Sequence, residues 1–101
     1  MDEVNFQVID KLMESGLDEK QSRLIIDLAC HPPSKASEIG KRVDISRMDA
    51  YNSLRKLQEQ GLVKATLDKP IRFFGMRIDE VFQQIIRIKE MDLRRIQQNL
   101  E

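Results

Sequence analysis

The sequence predicts a mainly α-helical domain with one small β-hairpin, on three observations. Apolar residues recur at helical spacing in five separate stretches. Glycine and proline number only 4 and 3, and most of them stand where those stretches stop. Two short strand-like runs between residues 62 and 76 bracket a single turn containing proline.

Taken in order, residues 2–15 carry Val4, Val8, Ile9, Leu12 and Met13 on one side of a first helix, which Gly16 ends. Asp18 and Gln21 form an N-cap pair for a second helix. Leu24, Ile25, Leu28 and Ala29 give it a buried stripe until His31-Pro32-Pro33 stops it. Cys30 reads as a small buried hydrophobe and His31 as an exposed helix end. A short third helix over 34–43 presents Ala36, Ile39 and Val43, and only Asp44 and Ile45 separate it from Ser46. Ser46 and Asp49 have the form of a capping box for a fourth helix, which runs from Arg47 to about Gln60 and closes at Gly61. Strands follow at 62–67 and 71–76, with Asp68-Lys69-Pro70 at the hairpin tip. From Asp79 onward a long helix runs without glycine or proline.

Composition narrows the function classes. With 101 residues, one modest core is the expectation. There is no apolar run long enough to span a membrane and no secretory signal, so the expected location is cytoplasmic. One cysteine and one histidine cannot assemble a zinc cluster or a nucleophile with its base, and no glycine-rich phosphate loop is present. The expectation is therefore a protein that is not an enzyme and carries neither cofactor nor metal. Net charge is zero, but it is segregated: residues 1–33 sum to −4, residues 34–77 to +5 and residues 78–101 to −1. The positive segment is the one a nucleic-acid partner would need.

Helix, helix, tight turn, helix, β-hairpin is the order of a winged helix-turn-helix, here with an added N-terminal helix and a long C-terminal helix. In that arrangement the fourth helix enters the major groove of duplex DNA and the hairpin lies beside it. With Ala50 facing the core, steps of roughly 100° per residue put Met48, Asn52, Arg55 and Glu59 opposite, with Asp49, Tyr51 and Lys56 on the flanks. Arginine suits guanine and asparagine suits adenine, which makes Arg47, Asn52 and Arg55 the base-reading candidates. Tyr51, grouped with them, stays open between packing under the wing and touching DNA. Lys35, Lys56, Lys64, Lys69 and Arg72 suit phosphates, and Ser46 is a cap first and a phosphate ligand second.

The runs GLDEKQSRLIIDLA at 16–29, ASEIGKRVDISRMDAYNSLRKLQEQGLVKA at 36–65 and KPIRFFGMRIDEVF at 69–82 together resemble the N-terminal domain of the TrmB-like transcription regulators, common in archaea. The resemblance implies a DNA-binding module dimerised through helices outside the wing. Two residues depart from the family pattern. Asp44 stands where a turn glycine is usual, and Lys35 stands where a capping serine or threonine is usual, which leaves that helix start to Ser34 or to water. Longer relatives carry a C-terminal sugar-binding domain, so the resemblance fits a short stand-alone member or the N-terminal part of a larger protein.

The last helix completes the expectation. Phe82, Ile86, Lys89, Leu93, Ile96 and Leu100 follow the 4, 3, 4, 3, 4 spacing of a coiled-coil seam with one lysine interruption. Ile78, Val81, Ile85 and Ile88 form a second stripe. One stripe is expected to dock on the winged domain, residues 1–77, and the seam of 78–101 on a second copy. A homodimer would set two reading helices roughly 34 Å apart and predict a pseudo-palindromic site. The expected function is thus sequence-specific binding of double-stranded DNA by a dimeric transcription regulator, with no membrane partner and no pattern for a small-molecule effector site. The competing reading is a winged-helix module that docks on another protein of a transcription assembly. Zero net charge and Asp49 on the reading helix both fit it.

Overall fold

The computed structural model describes residues 3–100, with side chains from Asn5 onward. Val4 of the expected first stripe therefore lies outside the described side chains, and Asp2 and Glu101 lie outside the described residues. Five helices and one hairpin follow in the order α1 (Glu3–Glu14), α2 (Glu19–Cys30), α3 (Ala36–Val43), α4 (Arg47–Glu59), β1 (Lys64–Ala65), β2 (Phe73–Phe74) and α5 (Ile78–Leu100). This is a winged helix-turn-helix with a helix added at each end.

Local chemistry sets most of the boundaries. At the start of α2, Gln21 N donates to Asp18 Oδ1 at 2.7 Å and Asp18 N donates to Gln21 Oε1 at 3.1 Å, the reciprocal pair expected from sequence. Between α3 and α4, Asp44 adopts the left-handed conformation at φ 60° and ψ 50°, and Ile45 N donates to Gly40 O at 2.9 Å. The turn is tight enough that a Cβ on Gly40 would sit 2.8 Å from the Ile45 carbonyl oxygen, so only glycine fits there. Asp49 N then donates to Ser46 Oγ at 3.0 Å. Only this half of the expected box forms, and the Asp49 carboxylate instead adds negative charge to the first turn, where the helix dipole favours it. Gly61, at φ 76°, closes α4 as expected.

The core is built where α2, α3, α4 and the wing meet. Leu24, Ile39, Ala50, Leu54 and Leu57 are fully buried, joined by Leu12 of α1, Phe73 of the wing and Val81 of α5. Truncating such a leucine to alanine typically costs about 2–5 kcal/mol.

Four expectations need correction. Cys30 is exposed, and so is Ala29. The buried side of α2 runs through Ser22, Leu24, Ile25, Ile26 and Leu28 and ends there, where the last turn meets the bare backbone of Gly75 in the wing. Met13 is exposed beside the buried Ile9 and Leu12. Ser34 does not cap α3: its backbone pairs with Phe73 in both directions, at 3.0 and 2.8 Å, an isolated bridge beside the two-stranded wing. The free amide of Lys35 is met instead by Glu38 Oε1 at 2.9 Å. The hairpin strands are two residues each, with Lys64 opposite Phe74 and Ala65 opposite Phe73. They are shorter than expected because Leu62 and Val63 turn into the core and Leu67 at the tip is fully exposed.

The inner stripe of α5 docks on this domain as expected. Val81 and Ile85 are buried, while Ile78, Phe82 and Ile88 are half-buried. Gln84 Nε2 donates to Gln60 O at 3.1 Å, tying α5 to the end of α4. From Lys89 to Leu100 every residue is exposed. That overhang is about 18 Å of helix.

Candidate nucleic-acid interface

The outer face of α4 is open. Asn52, Arg55, Lys56 and Glu59 are exposed, Met48 is 70% exposed, and Arg55 Nη1 donates only to the neighbouring Gln58 Oε1, at 3.2 Å. Ala50, Leu54 and Leu57 bury the opposite side, so the helix cannot roll this face inward without emptying the core.

Where the first turns of α3 and α4 approach the wing, a cleft of about 440 Å³ opens. Lys35, Arg47 and Lys69 line it, with Ala36, Ile71 and Phe73 as apolar lining and Ser37 and Tyr51 as polar additions. No carboxylate is among the lining residues. Three cations on a concave surface beside two helix N-termini favour an anion there, since the helix dipoles add to the side-chain charge. Tyr51 stands between α4 and the wing, with its ring edge-on to Phe73 at 6.1 Å between centroids and 77° between planes. That fits the packing option left open for it from sequence, and it leaves the ring at the cleft wall.

The remaining candidates are distributed more widely. Ser46 caps α4 from the turn. Lys64 lines a different groove, on the other side of the hairpin with Phe74 and Met76. Arg72 lies close enough to Glu38 to act on it. The Glu38 carboxyl is held below the ordinary glutamate range chiefly by the bond from the Lys35 backbone amide, with Lys35, Arg72 and Arg42 adding attraction. Ile86, Leu93, Ile96 and Leu100 form an exposed apolar line on α5. The Lys89 ammonium instead sits 3.8 Å from where a Gly16 Cβ would be, at the C-terminal end of α1, where positive charge is favoured. Phe82, at the top of that line, is half-buried against the core.

Sequence reasoning missed the group that holds the site together. Arg42 grips Asp27 with Nε and Nη2 at 2.8–3.1 Å and also donates to Ser34 Oγ at 3.1 Å. This ties α2, α3 and the residue that bridges to the wing, and the Asp27 side chain is only 8% exposed. Hydrogen bonding to Asp27 raises the Arg42 pKa above its ordinary value. Arg23 Nη2 donates to Val43 O at 3.0 Å, closing the end of α3. The arginines stand 15 and 20 residues from their partners, with no local pattern to mark them.

Among the described residues, no helix is long and apolar enough to cross a membrane, and no cluster of three metal-ligating side chains occurs. No curated protein matches the sequence. Solved structures share the fold. The archaeal chromatin protein TrmBL2, described as showing a novel mode of DNA binding, superposes with a TM-score of 0.81 at 14% identity. That match covers 95% of this chain and 37% of TrmBL2, so the chain spans little more than a third of that protein's length. The transcriptional regulator Tm0710 from Thermotoga maritima gives 0.65 at 16% identity, covering 97% of this chain and 73% of the other. MepR, a transcription regulator of a Staphylococcus aureus multidrug efflux pump, gives 0.62 at 19%, covering 95% and 76%. The family model described as sugar-specific transcriptional regulator TrmB matches residues 12–78, from the end of α1 through α4 and the wing to the first residue of α5. The chain therefore belongs to the TrmB family of transcriptional regulators.

Proposed function

We propose that this chain binds duplex DNA sequence-specifically as a homodimer, with α4 in the major groove and the C-terminal half of α5 paired with that of a second copy. Arg47, Asn52 and Arg55 read base edges, with Tyr51 alongside. Lys35, Ser46, Lys56, Lys64, Lys69 and Arg72 hold the phosphate backbone. The observation that carries the reading is the cleft of Lys35, Arg47 and Lys69 beside an open α4 face, because a phosphodiester needs concave positive charge next to a helix that fits the groove. Family membership supports it, as does the shared fold with TrmBL2, itself described as binding DNA.

The dimer rests on the exposed line of Ile86, Leu93, Ile96 and Leu100, continued by half-buried Phe82, on a helix whose other stripe is already used. Lys89, the third seam position, borders the line from its place over Gly16 and is proposed to flank the partner helix. The regulator acts in the cytoplasm by occupying promoter DNA. Titration with a random-sequence duplex at about 50 and 200 mM salt tests the central claim, and affinity that falls steeply with salt is the expected result. No binding at the lower salt would overturn it in favour of a module that docks on protein.

A further inference from the structure

The outward line of α4 holds one residue for which hydrogen bonding supplies no task. Met48 is the second residue of the helix and 70% exposed. Two neighbours fix its direction: Asp49 N is held by Ser46 Oγ, and Ala50 is fully buried. At roughly 100° per residue, Met48 falls about 40° from Asn52 and about 20° from Arg55, so the three side chains share one line. A lone exposed methionine is commonplace on protein surfaces. This one stands where a helix entering the major groove N-terminus first comes nearest the bases.

Asn52 and Arg55 match the donors and acceptors of base edges, and Met48 offers neither. The apolar feature that the major groove presents is the C5-methyl group of thymine. The geometry points to Met48 as a specificity-determining residue that packs its thioether on a thymine methyl. The inference rests on the DNA reading above and adds one base to it. Its unbranched side chain reaches and adapts to such a group more readily than a branched one. Met48 and Asn52 are about 6 Å apart along the helix, so the thymine is expected about two base-pair steps from the base that Asn52 reads.

The test uses the whole chain and the duplex it selects from a random pool. Each thymine of that duplex is replaced in turn by uracil, which removes the methyl group and nothing else. One position in each half-site is expected to lose about fourfold in affinity with the wild-type protein, the worth of one buried methyl. Met48→Ala is expected to bind thymine and uracil duplexes equally at that position, and Met48→Leu to keep the preference. Because Met48 is exposed, neither variant threatens the fold. Uracil tolerated at every position by the wild-type chain overturns the inference and leaves the DNA reading intact. Failure to select any duplex overturns both.

Discussion

Replacing Lys35, Arg47 and Lys69 together by alanine removes the three cations that line the cleft and leaves its apolar lining in place. All three side chains are exposed, and Lys35 takes part in capping α3 through its backbone amide, so the helical circular dichroism should be unchanged. Each phosphate neutralised contributes about 0.9 to the slope of log affinity against log salt. On random sequence Arg47 has no matched base to read and faces phosphate with the two lysines, so three lost contacts flatten the slope by about 2.7 per bound protomer, or about 5 for a dimer. Between about 50 and 200 mM salt, the wild-type chain should lose about 40-fold more affinity per protomer than the variant. Fluorescence anisotropy with a random-sequence duplex reads this directly and keeps the base-reading role of Arg47 out of the result. Lys11→Ala, on the exposed side of α1, serves as the control and should leave the slope alone. A triple variant whose slope stays within about 0.5 of wild type would refute the assignment of phosphates to this cleft.

Arg42→Ala strands the nearly buried Asp27 carboxylate and should lower stability by about 2 kcal/mol, seen as a fall in melting temperature of about 8–16 °C. Adding Asp27→Ala should recover part of that loss, since the uncompensated charge goes with it. Changing Ile86 and Leu93 both to Asp should convert a dimer at micromolar concentration to a monomer in sedimentation, with helical content retained because both side chains are exposed. The Glu38 carboxyl titrates below the ordinary value of 4.5 because the folded chain hydrogen-bonds its charged form. Its contribution to stability is therefore fully present above that value and fades as pH falls through the lower folded value. Glu38→Gln should flatten acid unfolding in that window, which thermal melts across the acid range would measure.

What the sequence revealed best was what neighbouring residues decide among themselves. The Asp18–Gln21 pair, the Ser46 cap and the closing Gly61 all depend on groups a few positions apart, so their spacing marks them. Burial of Val81 and Ile85 followed from the two stripes of α5 by the same periodicity. The failures lie where distant segments meet. Ser34 pairs with Phe73 across 39 positions, and that pairing withdraws it from the cap its position suggested. Cys30 and Ala29 end a helix whose last turn meets Gly75 of the wing, which has no side chain to cover them. The cleft joins α3, α4 and the hairpin tip, and only the fold brings Lys35, Arg47 and Lys69 to one concavity.

The amide of Gln84 clasps the carbonyl of Gln60 where α4 ends, and a Cβ on Gly61 would sit 2.8 Å from that amide nitrogen. The long C-terminal rod and α4 thus meet at a hydrogen-bonded joint. A pull on the rod is therefore carried to α4 at its C-terminal end, the end remote from the cleft.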